Sequence, residues 1–285
     1  MKTGVVIILF HPDTSHLSRM LETLIDSGYR VVLVDNSPHE LKLALPQEVV
    51  YLHYPQNIGI AAAQNRGLSH LAGQQFSHAV LFDQDSAVTP ALMEGLCAGF
   101  VEAQAHFGKV AAVGPQIICE FYNQPVKPKV QQAVDVRDGL ASVKQIIASG
   151  MMLSLSELET IGHKEESLFI DGVDHEWCWR ARDKGFSVVK LTDVTMLHKQ
   201  GDGRHKVLGI TFKRGAPVRL YYQVRNVLIL SRRSYVPLYW KLRNIPAIPL
   251  RWLINRWVFD NGKQRGRYFA KGLVDGLKGK NGPLE

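Results

Sequence analysis

Two aspartates one residue apart, Asp83 and Asp85 in "LFDQDSAVTP" (81–90), close an apolar run. A carboxylate at the end of a buried strand needs a partner, so the pair points to a divalent cation, a shared proton or a turn cap. In the turn-cap alternative the strand ends in an Asx-type turn, and Ser86 or Thr89 starts a helix with Pro90 in its first turn. These residues alone leave both open. "VDNS" (34–37) ends another apolar run with Asp35, an acid able to hold a base or a ribose. "QNIGIAAAQNRG" (56–67) is a small-residue helix start carrying Asn57 and Asn65, where backbone approaches a ligand closely. "FIDGVDHEWCWRARDKG" (169–185) sets Asp171, Asp174 and Glu176 just before and within the first turns of a helix. Acids there also serve simply to complement the helix dipole.

The elements that must carry these groups alternate. Apolar or β-branched runs at 4–10, 29–37, 49–54, 78–85 and 109–115 read as strands, and 15–27, 59–72 and 90–105 as helices. Strand–helix alternation implies a mostly parallel sheet covered on both faces, with ligands outside the carboxyl ends of the strands. His11-Pro12, Asp35-Asn36-Ser37 and Asp83-Gln84-Asp85 lie at those ends. Past residue 116 the alternation fails. Residues 119–145 read as a loop or irregular hairpin, and 146–154 as a strand with Gly150 inside it. Residues 174–185 read as a helix closed by Gly185, "FSVVKL" and "VTMLHK" as strands, and 217–233 as a helix.

The chain has 285 residues, 46% hydrophobic and 21% charged, which suits one large domain or one domain with an appendage. Three scattered cysteines form neither a disulfide framework nor a zinc spacing, consistent with a reducing cytoplasm. The run Val5 to Phe10 is too short for a signal core, and no stretch reaches the ~20 apolar residues of a membrane span. The net charge of +8 hides an asymmetry: 204–285 hold 18 Lys and Arg against three acids, a balance of +15, leaving 1–203 at −7. Residues 1–203 therefore read as the body and 204–285 as a basic segment. Arginines and aromatic residues interleave in 239–259, which Pro246 and Pro249 should break into two short pieces. That mixture suits an anionic membrane surface; the alternative is that Trp252, Ile254 and Trp257 pack back onto the body.

The ordered set "VVIILFHPD", "VDNS", "NIGIAAAQNRGL", "LFDQDS", "SGMMLS", "LFIDGVDHEWCWRARDKGF", "LHKQGDG" and "YYQVRN" resembles the inverting family 2 glycosyltransferases, in particular their bacterial rhamnosyltransferase branch. The resemblance spans roughly residues 4–230. It implies a GT-A fold, an α/β Rossmann-like sheet with helices on both faces, here followed by a helical basic C-terminal segment. It further implies single-displacement transfer of a sugar from a nucleotide-sugar donor, with "DQDS" and "FIDGVDHEW" suggesting dTDP-L-rhamnose. The acceptor implied is a glycan on a lipid carrier, such as an O-antigen or other surface polysaccharide, at the cytoplasmic face of the inner membrane. Carried over by position, Asp35 would contact the base or ribose, with Phe10 and His11 forming the base pocket. Asp83 would face the ribose or metal. Asp85 would ligate a divalent ion (Mg²⁺ or Mn²⁺) bridging the phosphates, assisted by His198. Asp174 matches the catalytic base, with Asp171 as its rival, because the Glu-Asp usual in the family is Val173-Asp174 here.

Three alternatives compete. A haloacid-dehalogenase-like phosphatase would need a Thr or Val at the fifth motif position, where this chain has Ala87, and a later Gly-Asp-x-x-x-Asp pair. A non-catalytic carbohydrate-binding scaffold sits poorly with acids at every expected position. Nucleic-acid binding suits the basic tail, but no nucleic-acid module is visible.

Overall fold

In a computed structural model the described residues are 1–119, 124–125, 133–198, 203–207 and 210–284. Of these, Cys119, Arg137, His198 and the short stretches 124–125, 203–207 and 210–214 are described by backbone path only. The elements follow the chain as β1 (Thr3–Leu9), α1 (Thr14–Asp26), β2 (Arg30–Asp35), β3 (Val49–His53), α2 (Gly59–Gly73), β4 (His78–Asp83), α3 (Pro90–Phe107) and β5 (Val110–Cys119). Then come β6 (Gln124–Pro125), β7 (Asp135–Arg137), β8 (Leu140–Ser142), β9 (Met151–Ser154), α4 (Leu158–Ile161), a 3₁₀ turn (Glu166–Leu168), α5 (Val173–Asp183) and β10 (Ser187–His198). The rest is β11 (Gly203–Val207), β12 (Ile210–Arg214), α6 (Arg219–Ser231), α7 (Leu238–Asn244), α8 (Ile248–Trp257) and α9 (Gly262–Lys278).

One sheet runs β3-β2-β1-β4-β9-β5-β10-β8-β7, with β6 on β5. Its first four strands are parallel, β9 runs against both β4 and β5, and β10 lies parallel to β5. Two apolar cores flank it. One packs α1 and α3 against one face through Leu17, Leu24, Leu96 and Phe100; the other packs α2, α4 and α5 against the opposite face through Leu68, Leu71, Ile161 and Trp177. The inner strands are therefore covered on both sides, which is why they read as unbroken apolar runs. Helix α2 approaches closely because Gly67 has no side chain: a Cβ there would lie 2.3 Å from Val6 Cγ1.

Two segments differ from expectation. Residues 146–150 are a loop, and the strand begins only at Met151, because Gly150 sits at φ +80° and turns the chain into β9. "FSVVKL" and "VTMLHK" are one long strand, β10, interrupted by an irregularity between Leu191 and Thr195. The acceptor-loop segment 119–145 contains the β7–β8 hairpin, while 120–123 and 126–132 lie outside the described residues. As the two prolines predict, α7 and α8 are separate short helices. No helix among the described residues is long and apolar enough to cross a membrane.

Helix α6 and the segment after it join the sheet domain through an apolar cluster, in which Ile229, Leu230 and Val236 meet Ala61, Leu168, Val173 and Trp179, and through polar anchors. Arg225, 0% exposed, donates to the carbonyls of Ser167 (3.2 Å), Leu168 (2.9 Å) and Gly282 and lies against the rings of Tyr221 and Tyr222. The Asn226 amide donates to the carbonyls of Leu168, Ile170 and Asp171 at 2.7–3.0 Å. The "YYQVRN" stretch is thus a clamp on the loop that leads into α5.

Candidate active site

Register places the chemistry at one edge. Leu9 pairs with Asp35 and Ile8 with Asp83, so the ends of β1, β2 and β4 align and release Phe10-His11, Asn36-Ser37 and Gln84-Asp85 side by side. Phe10 is 48% exposed, and its backbone is held reciprocally by Gln84: the Phe10 N–H donates to Oε1 at 2.7 Å and its carbonyl accepts from Nε2 at 3.1 Å. His11, at φ +50°, donates its N–H to Ser37 Oγ. Asp35 is 0% exposed; its Oδ1 accepts from the Ser37 N–H and its Oδ2 from the Tyr51 hydroxyl, at 2.8 and 2.7 Å. Burial, with Asp35 adding to it, pushes the Tyr51 hydroxyl up to about 12, so it stays a donor. Asp35 thus fixes the Asn36-Ser37 turn and Tyr51 from within the protein.

Asn57 and Asn65 part company. Asn57, at φ +50°, accepts from the Gly59 N–H and starts α2. Asn65 is 3% exposed and braces a distant loop: its amide nitrogen donates to the Lys164 carbonyl and Glu166 Oε1, and its oxygen accepts from the Lys164 N–H, all at 2.9 Å. Both donors are satisfied inside the protein.

The turn 83–86 is closed by the Ser86 N–H on the Asp83 carbonyl at 3.1 Å. Thr89, not either aspartate, caps α3 by accepting from the Leu92 N–H. The two carboxylates are therefore not spent on the helix. Asp85 is exposed and Asp83 half-buried. Burial, then the charges of Asp174 and Asp85, push the Asp83 carboxyl up to about 7, opposed by Arg219. Asp174 comes from the first turn of α5. Its Oδ2 accepts from the Ala148 N–H at 3.1 Å, and its Oδ1 is buried with no partner among the described residues. Ser86 Oγ meets Ser149 Oγ at 2.5 Å, so the loop that holds Asp174 is also tied to the Asp83–Asp85 turn.

Asp83 and Asp85, one residue apart at the end of β4, offer the oxygen ligands that a hard divalent cation takes, and a cation there would relieve their mutual repulsion. Among the described residues no three His, Cys, Asp or Glu side chains form a closed cluster, so substrate phosphates and water would complete the shell. The side chain of His198 lies outside the described residues.

Asp171 and Asp174 are in different states. Asp171 forms a forked pair with Arg219, Oδ2 to Nε at 3.1 Å and Oδ1 to Nη2 at 2.6 Å. Glu176, fully buried, is bound to Arg180, Arg233 and the Tyr235 hydroxyl and is structural. Sequence analysis passes over Gln84, Arg219, Asn226 and Lys164. Lys164 is 2% exposed, with Nζ 3.3 Å from Met151 Sδ and 4.3 Å over the Trp177 ring; burial pulls its pKa down. Gln84 and Asn226 belong to motifs visible in the sequence, "LFDQDS" and "YYQVRN", but with no role assigned to either; Arg219 and Lys164 belong to none.

No family model matches the chain. It is 31% identical over 291 residues to the dTDP-rhamnosyl transferase RfbF of Shigella flexneri, an alignment covering 97% of this chain and 96% of that protein. Among solved structures it is similar to GalNAc-T7 crystallised with UDP, GalNAc and Mn²⁺ (TM-score 0.58, 13% identity), covering 98% of this chain and 56% of that one. It is also similar to residues 1–349 of S. aureus TarS (TM-score 0.55, 12% identity), covering 97% of this chain and 81% of that one.

Proposed function

Because the chain belongs to the bacterial rhamnosyltransferase branch of the inverting family 2 glycosyltransferases, we propose that it moves L-rhamnose from dTDP-L-rhamnose onto a glycan hydroxyl by single displacement. The observation that carries this mechanism is the orphaned, buried Oδ1 of Asp174 facing the edge that bears Asp83 and Asp85. Asp174 takes the proton of the acceptor hydroxyl as its oxygen attacks the sugar C1. The bond from C1 to the diphosphate oxygen breaks on the opposite face, and the electron pair leaves with the nucleoside diphosphate. Asp85, with Asp83 beside it and His198 assisting, would hold a Mg²⁺ or Mn²⁺ ion, which would supply charge stabilisation to the diphosphate. Phe10 and His11 line the base side, and their backbone is fixed by Gln84 and Ser37. The Ala148 N–H orients Asp174 so that its second oxygen stays available. A panel of nucleotide sugars tests the donor: dTDP-L-rhamnose should be hydrolysed or transferred with a divalent ion present. Turnover of UDP-glucose or GDP-mannose instead would refute the sugar while sparing the reaction class.

On this reading the body, 1–203, handles the donor, and 204–285 serve the acceptor side, at a lipid-linked glycan on the cytoplasmic face of the inner membrane. The support is the surface of α7 and α8. Leu238, Leu242, Leu250 and Trp257 are 50–69% exposed, while Lys241, Arg243, Arg251 and Arg256 lie among them. Of the three residues that would pack inward, only Ile254 is buried; Trp252 is 37% exposed. Basic side chains near an anionic leaflet contribute about 1 kcal/mol each. Co-sedimentation with phosphatidylglycerol-containing vesicles should therefore occur at low salt and fade as salt rises. A protein left wholly in the supernatant at low salt would rule this surface out.

A further inference from the structure

The basic segment holds a hollow that the transfer chemistry does not use. Helices α8 and α9 enclose a cleft of about 470 Å³ lined by Trp252, Arg256, Lys263, Gly266, Arg267 and Ala270. Gly262, Gly266 and Ala270 recur every four residues along α9 and so share one face. The end of α8 lies directly on that face. A Cβ at Gly262 would come 2.1 Å from the Arg256 carbonyl oxygen, and one at Gly266 2.7 Å from Arg256 Cδ. The Arg256 stem therefore crosses the cleft floor, with its guanidinium 4.3 Å over the Trp257 ring. Lys263 and Arg267 are exposed and Arg256 is half-buried. Among the described residues none of these three cations makes an ion pair; Asp275, the one acid within α9, is held by Lys271 and Lys280 at 3.3 and 3.9 Å.

We propose that the α8–α9 cleft binds the phosphate- or diphosphate-bearing end of a single lipid. On the transferase reading above, on which this rests, that lipid is the carrier of the glycan acceptor. Three cations without a counter-ion around one hollow favour an anion of more than one charge, and guanidinium groups match phosphate oxygens. The walls favour a chain attached to that anion. Trp252 is 37% exposed, and the neighbours of Trp252 and Arg256 along α8, Leu253 and Trp257, are 48% and 69% exposed. A free phosphate leaves that apolar surface in water, whereas the first carbons of a lipid chain cover it. Adsorption to a charged leaflet needs only basic groups spread over a face; here they converge on one concave volume.

Co-sedimentation in chelator, which removes any metal-held diphosphate from the catalytic edge, tests the site with two kinds of phosphatidylcholine vesicle. One carries geranylgeranyl diphosphate and the other phosphatidylglycerol, at matched surface charge. The wild type should bind the diphosphate vesicles about 10-fold more tightly. Arg267→Ala should lose most of that preference. Lys278→Ala, which takes the same charge from an exposed position of α9 outside the cleft, should keep it. Ala270→Glu puts an acid on the cleft wall and should lose the preference as Arg267→Ala does. Inorganic diphosphate in solution should compete only weakly, because it lacks the chain. Equal binding of the wild type to both vesicles, equal losses in Arg267→Ala and Lys278→Ala, or full competition by inorganic diphosphate would overturn the lipid site and leave the membrane surface of α7 and α8 standing. A wild-type protein that binds neither vesicle would overturn that membrane reading too.

Discussion

Asp174→Asn should abolish transfer while leaving the donor bound. The amide keeps the volume of the carboxylate, and its oxygen can still accept from the Ala148 N–H, so the loop 146–150 stays in place. What is lost is the second oxygen, Oδ1, which is buried without a partner and is the atom able to receive the acceptor's proton. Positioned general-base catalysis supplies about 10²- to 10⁴-fold, so kcat should fall by that factor with the Kd for dTDP within about twofold. Asp171→Asn separates the two acids. It breaks the forked pair with Arg219 but leaves the Asp174 carboxylate on the Ala148 N–H, so kcat should fall far less than in Asp174→Asn. If Asp171→Asn destroyed kcat at unchanged affinity while Asp174→Asn remained active, the base would be Asp171.

Asp85→Ala should remove the divalent-ion dependence of donor binding, and with it activity. Asp85 is exposed and caps nothing, so the variant should match the wild type in thermal stability. Its methyl group cannot replace an oxygen ligand, and the diphosphate would then approach Asp83 with no cation between them. Calorimetry with dTDP, with and without Mn²⁺, should show metal-enhanced binding in the wild type and a loss of at least about 100-fold of that enhancement in the variant. Full wild-type activity in excess chelator would show instead that the turn 83–86 holds no ion.

The first half of the molecule was legible because each strand is a run of apolar residues followed by a polar turn. Burial on both faces of the sheet makes that signal strong, and β1 through α3 lie within a few residues of where periodicity puts them. The later strands were harder to read. Met151–Leu153 are apolar, but so are Ile146 to Ala148 in the loop before them, and the positive φ of Gly150 marks the boundary. Within the site, Asp83, Asp85 and Asp174 announce themselves as acids at element ends. Arg219 does not, because its meaning comes from Asp171, 48 residues away in sequence. Asn65 misled for the same reason: beside glycine and alanine at a helix start it looks like a ligand contact, whereas its partners are Lys164 and Glu166. Spacing along a chain reports what one element presents, and not what another element brings to meet it.

The tether at residue 282 has a temporal meaning. The Gly282 N–H donates to the Ser167 carbonyl at 2.8 Å, Arg225 donates to the Gly282 carbonyl, and the Leu284 N–H donates to the Tyr222 hydroxyl. During synthesis the β1–α3 half, residues 1–107, emerges early and is built from neighbouring strands and helices that can assemble as they appear. The loop that aims Asp171 and leads into Asp174 must wait for α6, and then for residue 282, before its brace is complete. A nascent chain can thus assemble the β1–α3 half well before the loop ahead of α5 is braced, and that brace waits on a glycine made more than a hundred residues after the loop it holds.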